Sequence, residues 1–133
     1  MDNQNIIKGV LITPNQEGTQ PREYDFEEYG DYKRYYSLLD CDCFDIQTRK
    51  FNGVYYDIYV DDEGLLKENN EVSVLTIDER SGKVVEAIVG NAFICKSNEE
   101  GQTISLTEED VQNVLKTIAT LKKDNHKVCV ASI

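Results

Sequence analysis

The sequence predicts an α+β fold, a single domain in which a mostly antiparallel sheet of about five to six strands carries two helices packed on one face. Three observations lead to this prediction. The chain has 133 residues, which is the length of one domain. Several short runs are apolar or alternate apolar with polar residues, as strands do. Residues 25–39 and 107–122 instead carry apolar residues at three- and four-residue steps, the spacing of amphipathic helices.

The strands are predicted from apolar runs bounded by turn residues. Residues 6–13, "IIKGVLIT", form the first, and "NQEGTQPRE" after Pro14 reads as a loop. Further strands are expected in the hairpin that follows the first helix. Three more are expected in later runs, at residues 71–77, 84–89 and 92–95. We place one domain over residues 1–133, with a core region 5–122 and a C-terminal strand or docked tail at 123–133.

Both helices carry sequence signals for a beginning. In the first, Asp25 to Leu39, Asp25 takes the N-cap position and Glu28 lies at the spacing of a capping box. In the second, Thr107 to Lys122, Thr107 is the cap and Asp110 completes the box.

A hairpin is predicted around Asn52-Gly53. Residues 54–60 alternate strictly between apolar and polar-facing positions, which indicates one buried face. A two-residue turn would place Asp45 and Gln47 on that face, whereas a three-residue loop, 51–53, pairs Phe44 with Val60 and Ile46 with Ile58. A shift of one residue exchanges the two faces of a strand, so we predict the three-residue loop, with Gly53 in the left-handed conformation.

The charge is strongly negative and unevenly distributed. The net charge is −11, which argues against direct binding of nucleic acid because a phosphate-binding groove needs clustered Lys and Arg. Residues 23–63 hold twelve acidic residues, four basic residues and all eight tyrosines of the chain. Tyrosine is favoured at interfaces because its ring is apolar and its hydroxyl forms hydrogen bonds. This part of the chain is therefore the candidate interaction surface.

No cofactor or catalytic centre is predicted. The segment "LLDCDCFDIQ" holds Cys41 and Cys43 one residue apart, whereas zinc sites favour cysteines two to four residues apart. Cys95 and Cys129 stand alone in apolar runs, and the chain has one histidine, His126. No phosphate-binding glycine loop or nucleophile motif occurs. We therefore predict that the protein is not an enzyme and that it binds neither a metal ion nor a cofactor.

The N-terminus carries neither a basic segment nor a long apolar segment, so it does not read as a signal peptide. No run approaches the roughly 18 apolar residues of a membrane span. We therefore expect a cytoplasmic protein with reduced cysteines and no contact with a membrane.

Three motifs resemble those of a known family. They are the acidic-Gly turn at residues 61–64, the residues "IVGNAFI" at 88–94, and "SLTEEDV" at 105–111. Together they resemble a small family of phage and Firmicute proteins, the domain of unknown function 3846, over residues 7–118. The tyrosine-rich helix and the long segment 65–83 depart from that pattern. The resemblance implies a phage, prophage or mobile-element setting inside a bacterial cell and transfers no catalytic residue.

These observations predict a non-enzymatic protein-interaction module that binds an unknown protein partner. One version of this hypothesis is anti-defence action, in which the acidic surface imitates nucleic acid and occupies a basic nucleic-acid-binding protein. The alternative is a small-molecule-binding protein or a small enzyme without a recognisable motif. A monomer and a homodimer are both compatible with the sequence. The predicted partner-binding residues lie in the second strand of the hairpin and in the turn after it. They are Tyr55, Asp57, Tyr59, Asp61, Asp62 and Glu63.

Overall fold

The computed structural model describes residues 6–14, 21–29, 31–63, 71–120 and 127–133, and these residues form ten strands and two helices. The strands are β1 Ile6–Ile12, β2 Pro21–Glu27, β3 Phe44–Phe51, β4 Val54–Asp61, β5 Val72–Ile77, β6 Val84–Val89, β7 Ala92–Ser97, β8 Thr103–Ile104, β9 Ile118–Thr120 and β10 Lys127–Ser132. The helices are α1 Arg34–Leu39 and α2 Glu108–Leu115. Neither helix is long and apolar enough to cross a membrane.

All ten strands belong to one mixed sheet. Its order is β2-β1-β7-β4-β3-β10-β5-β6, with β8 paired to β7 and β9 paired to β10. The pairs are antiparallel except for β10 and β5, which run parallel. The predicted α+β class with a sheet of about five to six strands is therefore wrong, because the described residues lie mostly in strands and the two helices are short. The predicted strand count was too low because β2 lies in a segment assigned to helix and because β8 and β9 are only two and three residues long.

The sheet buries residues on both faces. Alternate residues of β7 point in opposite directions, so that Ile94 belongs to one apolar cluster and Phe93 to another. Helix α2 contributes Val111 to the cluster of Ile94, on what we call the first face. Helix α1 contributes Tyr35 to the cluster of Phe93, on the second face. The prediction that both helices pack on one face is therefore also wrong, and the central strands are covered from both sides.

The predicted helix Asp25–Leu39 is wrong in its first half. Strand β2 pairs with β1 along its whole length, from Glu27 opposite Ile6 to Pro21 opposite Ile12. The capping box predicted for Asp25 therefore does not exist. Tyr29 has a φ of 50°, which a continuous right-handed helix does not allow. Pairing with a neighbouring strand outweighs helix propensity, which amounts to less than about 1 kcal/mol per residue for ordinary residues.

The hairpin has the two-residue turn rather than the predicted three-residue loop. Phe51 pairs with Val54 around Asn52 and Gly53, whose φ angles of 50° and 85° are those of the left-handed turn favoured in tight hairpins. The predicted left-handed Gly53 is thus present. The register prediction failed because it assumed one buried face. Since α1 covers the second face, Phe44 finds apolar contacts there with Tyr35, Tyr36 and Tyr59 without being paired to Val60.

Helix α2 begins as predicted but ends early. Thr107 Oγ1 accepts a hydrogen bond from the Asp110 backbone N–H at 3.1 Å, and Asp110 Oδ2 accepts from the Thr107 N–H at 3.1 Å. The helix ends at Leu115, and residues 118–120 form β9, which pairs with β10. The predicted extension beyond residue 120 lies outside the described residues. The C-terminal segment is a strand, and β10 lies between β3 and β5 with Val128 and Cys129 fully buried.

Candidate functional site

The six residues predicted to bind a partner do not form one surface. Tyr55, Asp57, Tyr59 and Asp61 share the second face of β4, and Asp62 begins the turn that follows. The strand separates Tyr55 from Asp61 by six residues, or roughly 20 Å. The predicted set is therefore spread along the whole hairpin.

Tyr59 and Asp61 are buried, with 6% and 8% of their surface exposed. The ring of Tyr59 lies under Tyr35 of α1, and its hydroxyl is 2.6 Å from Thr103 Oγ1. Asp61 Oδ1 accepts a hydrogen bond from the Glu63 backbone N–H at 2.9 Å. The side chains of these two residues therefore contribute to the fold, and little of their surface is accessible to a partner.

Tyr55 and Asp57 lie near the turn of the hairpin. Tyr55 is 60% exposed, and Lys50 Nζ lies 5.4 Å from its ring centroid. Asp57 Oδ1 accepts a hydrogen bond from Thr48 Oγ1 at 3.3 Å. Lys50 also forms an ion pair with Glu79 at 2.7 Å, so Tyr55 lies beside a pair of opposite charges rather than among acids alone.

At the other end of the hairpin the acidic residues are exposed. Asp62 and Glu63 are exposed, and the Asp62 N–H donates to the Cys43 carbonyl oxygen at 3.0 Å. This hydrogen bond brings the turn after β4 next to the segment that joins α1 to β3. The exposed acids Asp42 and Asp45 lie in or beside that segment. The accessible part of the predicted site is thus an acidic end of the hairpin.

A second acidic surface, which the sequence prediction missed as a site, lies along β2. Glu23, Asp25 and Glu27 are all exposed and occupy alternate positions of this strand. Beyond it lie two exposed tyrosines, Tyr29 at 48% and Tyr32 at 59%. The signal that could have found this surface is the two-residue alternation of acids in "REYDFE", which the helix assignment obscured.

A groove of about 490 Å³ separates β2 from α1. Its described lining is Tyr24, Asp25, Phe26, Glu27, Arg34, Ser37 and Leu38. The guanidinium of Arg34, one of the lining residues, lies 4.9 Å from the ring centroid of Tyr29, which follows β2 in the chain. The walls of the groove therefore mix aromatic and aliphatic side chains with two acids, a cation and a hydroxyl group.

Three titratable groups where α1 packs on the sheet, Tyr35, Tyr59 and Cys95, have raised pKa values. Burial raises the pKa of Tyr35, and its hydrogen bond to Glu28 raises this pKa further. Burial also raises the pKa of Tyr59, against the smaller opposing effect of its hydrogen bond with Thr103. Burial likewise raises the pKa of the Cys95 thiol. Cys95 is fully buried in the apolar cluster of the second face, so it is a core residue.

The other cysteines show no arrangement typical of a metal site. Cys41 and Cys129 are buried, Cys43 is exposed, and all are free thiols. Within the described ranges, no three side chains of His, Cys, Asp or Glu come together in a group that could hold a metal ion. His126 lies outside the described residues.

The family of the chain follows from a comparison with protein-family models. The model of the domain of unknown function 3846 (DUF3846) matches residues 7–119, which is far more than half of the 133 residues. The chain belongs to the DUF3846 family. No curated protein and no solved structure matches it.

The DUF3846 match begins in β1 and ends in β9, and the motifs that carry the resemblance join these elements. Lys8 of β1 donates its N–H to Ser105 Oγ at 2.9 Å and accepts from the Leu106 N–H at 2.8 Å. Gly90, with a φ of 91°, turns the chain between β6 and β7. These DUF3846 motifs therefore have structural roles in the described residues.

Proposed function

We propose that this DUF3846 protein is a non-enzymatic interaction module of a phage or other mobile element, acting in the cytoplasm of a bacterial host cell. Its partner would be a basic protein, bound through the acidic surfaces of residues 23–63. A specific form of this proposal is anti-defence action, in which the acidic surface imitates the charge of nucleic acid and occupies the basic groove of a nucleic-acid-binding protein.

The observation that carries the proposal is the exposure of acidic and tyrosine side chains in this part of the chain. Three tyrosines are 48–60% exposed, namely Tyr29, Tyr32 and Tyr55. Nine acidic side chains are exposed as well, namely Glu23, Asp25, Glu27, Asp31, Asp40, Asp42, Asp45, Asp62 and Glu63. Acidic patches attract basic partners over a distance of about 10 Å at moderate salt, and exposed tyrosines supply rigid contact area.

The experiment is an affinity capture from a bacterial lysate at about 0.05 M and about 0.5 M salt, with the captured proteins identified by mass spectrometry. Three baits are compared. The first is the natural chain. The second carries Asp62→Lys and Glu63→Lys at the exposed end of the hairpin. The third is a control that makes the same charge change elsewhere, with Glu99→Lys and Glu100→Lys in the exposed turn between β7 and β8.

We expect a basic protein that is retained at low salt, lost at high salt, and captured less by the second bait than by the control. The buried Asp61 is left unchanged because its substitution would disturb the fold rather than the surface. A further bait carries Glu23→Lys and Asp25→Lys on β2. Equal capture of the basic protein by this bait and by the other three would contradict binding through these acids.

The alternative is a small-molecule-binding protein, and the groove between β2 and α1 is the observation that favours it. Its volume of about 490 Å³ lies within the range of about 300–1,000 Å³ found for ligand sites. A small ligand in this groove would raise the melting temperature without any basic protein present. A screen of metabolites by thermal shift, in parallel with the capture, separates the two proposals.

A further inference from the structure

Strand β2 ends the sheet, and no described strand pairs with its outer edge. The backbone groups that face this edge follow from the contacts of β1. Lys8 directs its N–H and its carbonyl oxygen to Ser105 and Leu106, away from β2. Asp25, the partner of Lys8 in the register, therefore belongs to a pair that exchanges no hydrogen bonds. The N–H and carbonyl of Asp25 point outward, as do those of Glu23 and Glu27 two residues away.

The side chains of β2 divide by charge between the two faces of the sheet. Glu23, Asp25 and Glu27 lie on the first face, which is the face of Lys8. Lys8 Nζ forms an ion pair with Glu23 at 3.1 Å, so one cation stands among three exposed acids. The second face carries Arg22, Tyr24 and Phe26, and the last two line the groove beside α1, whose lining also includes Asp25 and Glu27.

These features together define which side chains would suit a strand added at the outer edge of β2. Residues opposite Glu23, Asp25 and Glu27 would lie beside acids and would favour Lys or Arg, because opposite charges across a strand pair are stabilising. The residues between them would point to the second face and enter the groove beside Tyr24 and Phe26. Arg34 in the groove opposes a further cation there and favours apolar side chains at these positions.

We infer that β2 binds an extended basic segment of the partner as an added antiparallel strand, in which Lys or Arg alternate with apolar residues. This inference rests on the proposed function and names the form of the partner. A second copy of the chain is a poor occupant, because two β2 edges would place acids directly opposite acids. The same acids that prevent self-association therefore select a basic strand.

The test uses synthetic peptides of seven residues, the length of β2, that alternate Lys with Val. In an antiparallel pair the Lys residues opposite Glu23, Asp25 and Glu27 would direct their N–H groups toward β2. One peptide carries N-methyl groups on Lys, which removes these donors. Its matched control carries the same number of N-methyl groups on Val, whose N–H groups would point to solvent. Dissociation constants are measured by fluorescence anisotropy with the full chain.

We expect N-methylation of Lys to weaken binding about tenfold or more relative to N-methylation of Val. In the protein, Asp25→Pro removes the outward N–H without removing a hydrogen bond to β1, and Asp25→Asn removes only the charge. Asp25→Pro should weaken binding more than Asp25→Asn. Amide hydrogen exchange should slow at Glu23, Asp25 and Glu27 when the unmodified peptide is added, a readout that does not depend on any variant folding.

Equal binding of the two methylated peptides would overturn the added strand and leave the acidic-surface proposal intact, because charge alone would then suffice. Absence of peptide binding, with a basic partner still captured from lysate by the natural chain, would also overturn it and place the contact elsewhere. Absence of both peptide binding and a basic partner would overturn the proposed function as well.

Discussion

The rings of Tyr35 and Tyr59 stack with their centroids 4.3 Å apart and their planes within 6° of parallel. This contact fixes α1 over the second face of β4. Helix α1 has six residues, and isolated helices shorter than about 12 residues are marginal in water. It therefore depends on packing, which Phe26 and Phe44 extend around Tyr35 at centroid distances of 4.7 and 5.2 Å.

Tyr35→Ala should lower the free energy of unfolding by about 3–5 kcal/mol, as expected for the loss of a buried aromatic ring. Tyr35→Phe keeps the stack and loses the hydroxyl, which hydrogen-bonds Glu28 and Tyr59, so it should cost about 1 kcal/mol. Urea unfolding followed by circular dichroism measures both. Similar losses for the two variants would mean that the hydrogen bond, rather than the stack, holds α1.

Stability should fall as the pH rises above about 9 because two buried thiols, Cys95 and Cys129, and three buried tyrosines have raised pKa values. Burial raises the pKa of Tyr56 to about 12 and raises those of Tyr35 and Tyr59. The unfolded chain releases these protons near pH 10 while the folded chain retains them. Their stabilising contribution is thus complete below that pH and is lost as the pH rises.

The urea midpoint measured between about pH 8 and about pH 11 tests this alkaline loss. A variant with Tyr59→Phe removes one of the titrating groups and should show a shallower decline. A midpoint that stays constant across this range would contradict the raised pKa values.

The cap of α2 should be worth about 1 kcal/mol, so Thr107→Ala should destabilise by that amount and Thr107→Ser should not. Asp110→Ala should cost more. Asp110 Oδ1 lies 3.0 Å from Lys96 Nζ and accepts from the Tyr56 hydroxyl at 3.0 Å, in addition to its role in the cap. Chemical denaturation of the three variants measures the order, and an equal loss for Thr107→Ala and Asp110→Ala would show that the contacts to β4 and β7 add nothing.

Acid should weaken the same contacts. Burial opposes ionisation of Asp110, but Lys96, Thr107 and Tyr56 outweigh it and hold its pKa below the usual value. A lowered pKa means that the contribution is present above about pH 4 and is lost as the pH falls through the folded value. The difference in stability between the natural chain and Asp110→Asn should therefore shrink at low pH.

Gly9 lies where atoms of β7 leave no room for a side chain on β1. A Cβ atom there would collide with the backbone carbonyl oxygen of Ile94 and would lie 2.6 Å from the ring of Phe93. Gly9→Ala should therefore destabilise by about 3 kcal/mol, since a fully buried site cannot yield. Gly101→Ala, in an open turn with a φ of 81°, should cost about 1 kcal/mol from backbone strain alone. Thermal unfolding of both variants decides whether steric collision dominates.

Local sequence signals correctly predicted the elements whose residue pattern fits only one kind of secondary structure. The Thr107–Asp110 box marked the first turn of α2, and the left-handed Gly53 followed from the Asn-Gly pair. The run at residues 6–13 marked β1. Each of these depends on side-chain and backbone chemistry within a few residues, which is why sequence alone was sufficient.

The failures share a different cause. The segment at residues 23–29 carries aromatic residues that fit a helix and acids that fit a strand, and only the pairing of β2 with β1 selects the strand. The hairpin register required knowledge that α1 covers the second face of β4. For the same reason, the buried positions of Tyr59 and Asp61 in the predicted site were not foreseen.

The sequence by itself determined the family, the acidic balance and the concentration of acids and tyrosines in residues 23–63, because these are properties of composition and motif. Only the tertiary structure decided which of those described side chains are accessible and which backbone groups of β2 face the outer edge of the sheet. Accessibility and strand pairing depend on contacts between distant segments, such as Tyr35 over Tyr59 and Lys8 beside Ser105, and no local pattern encodes them.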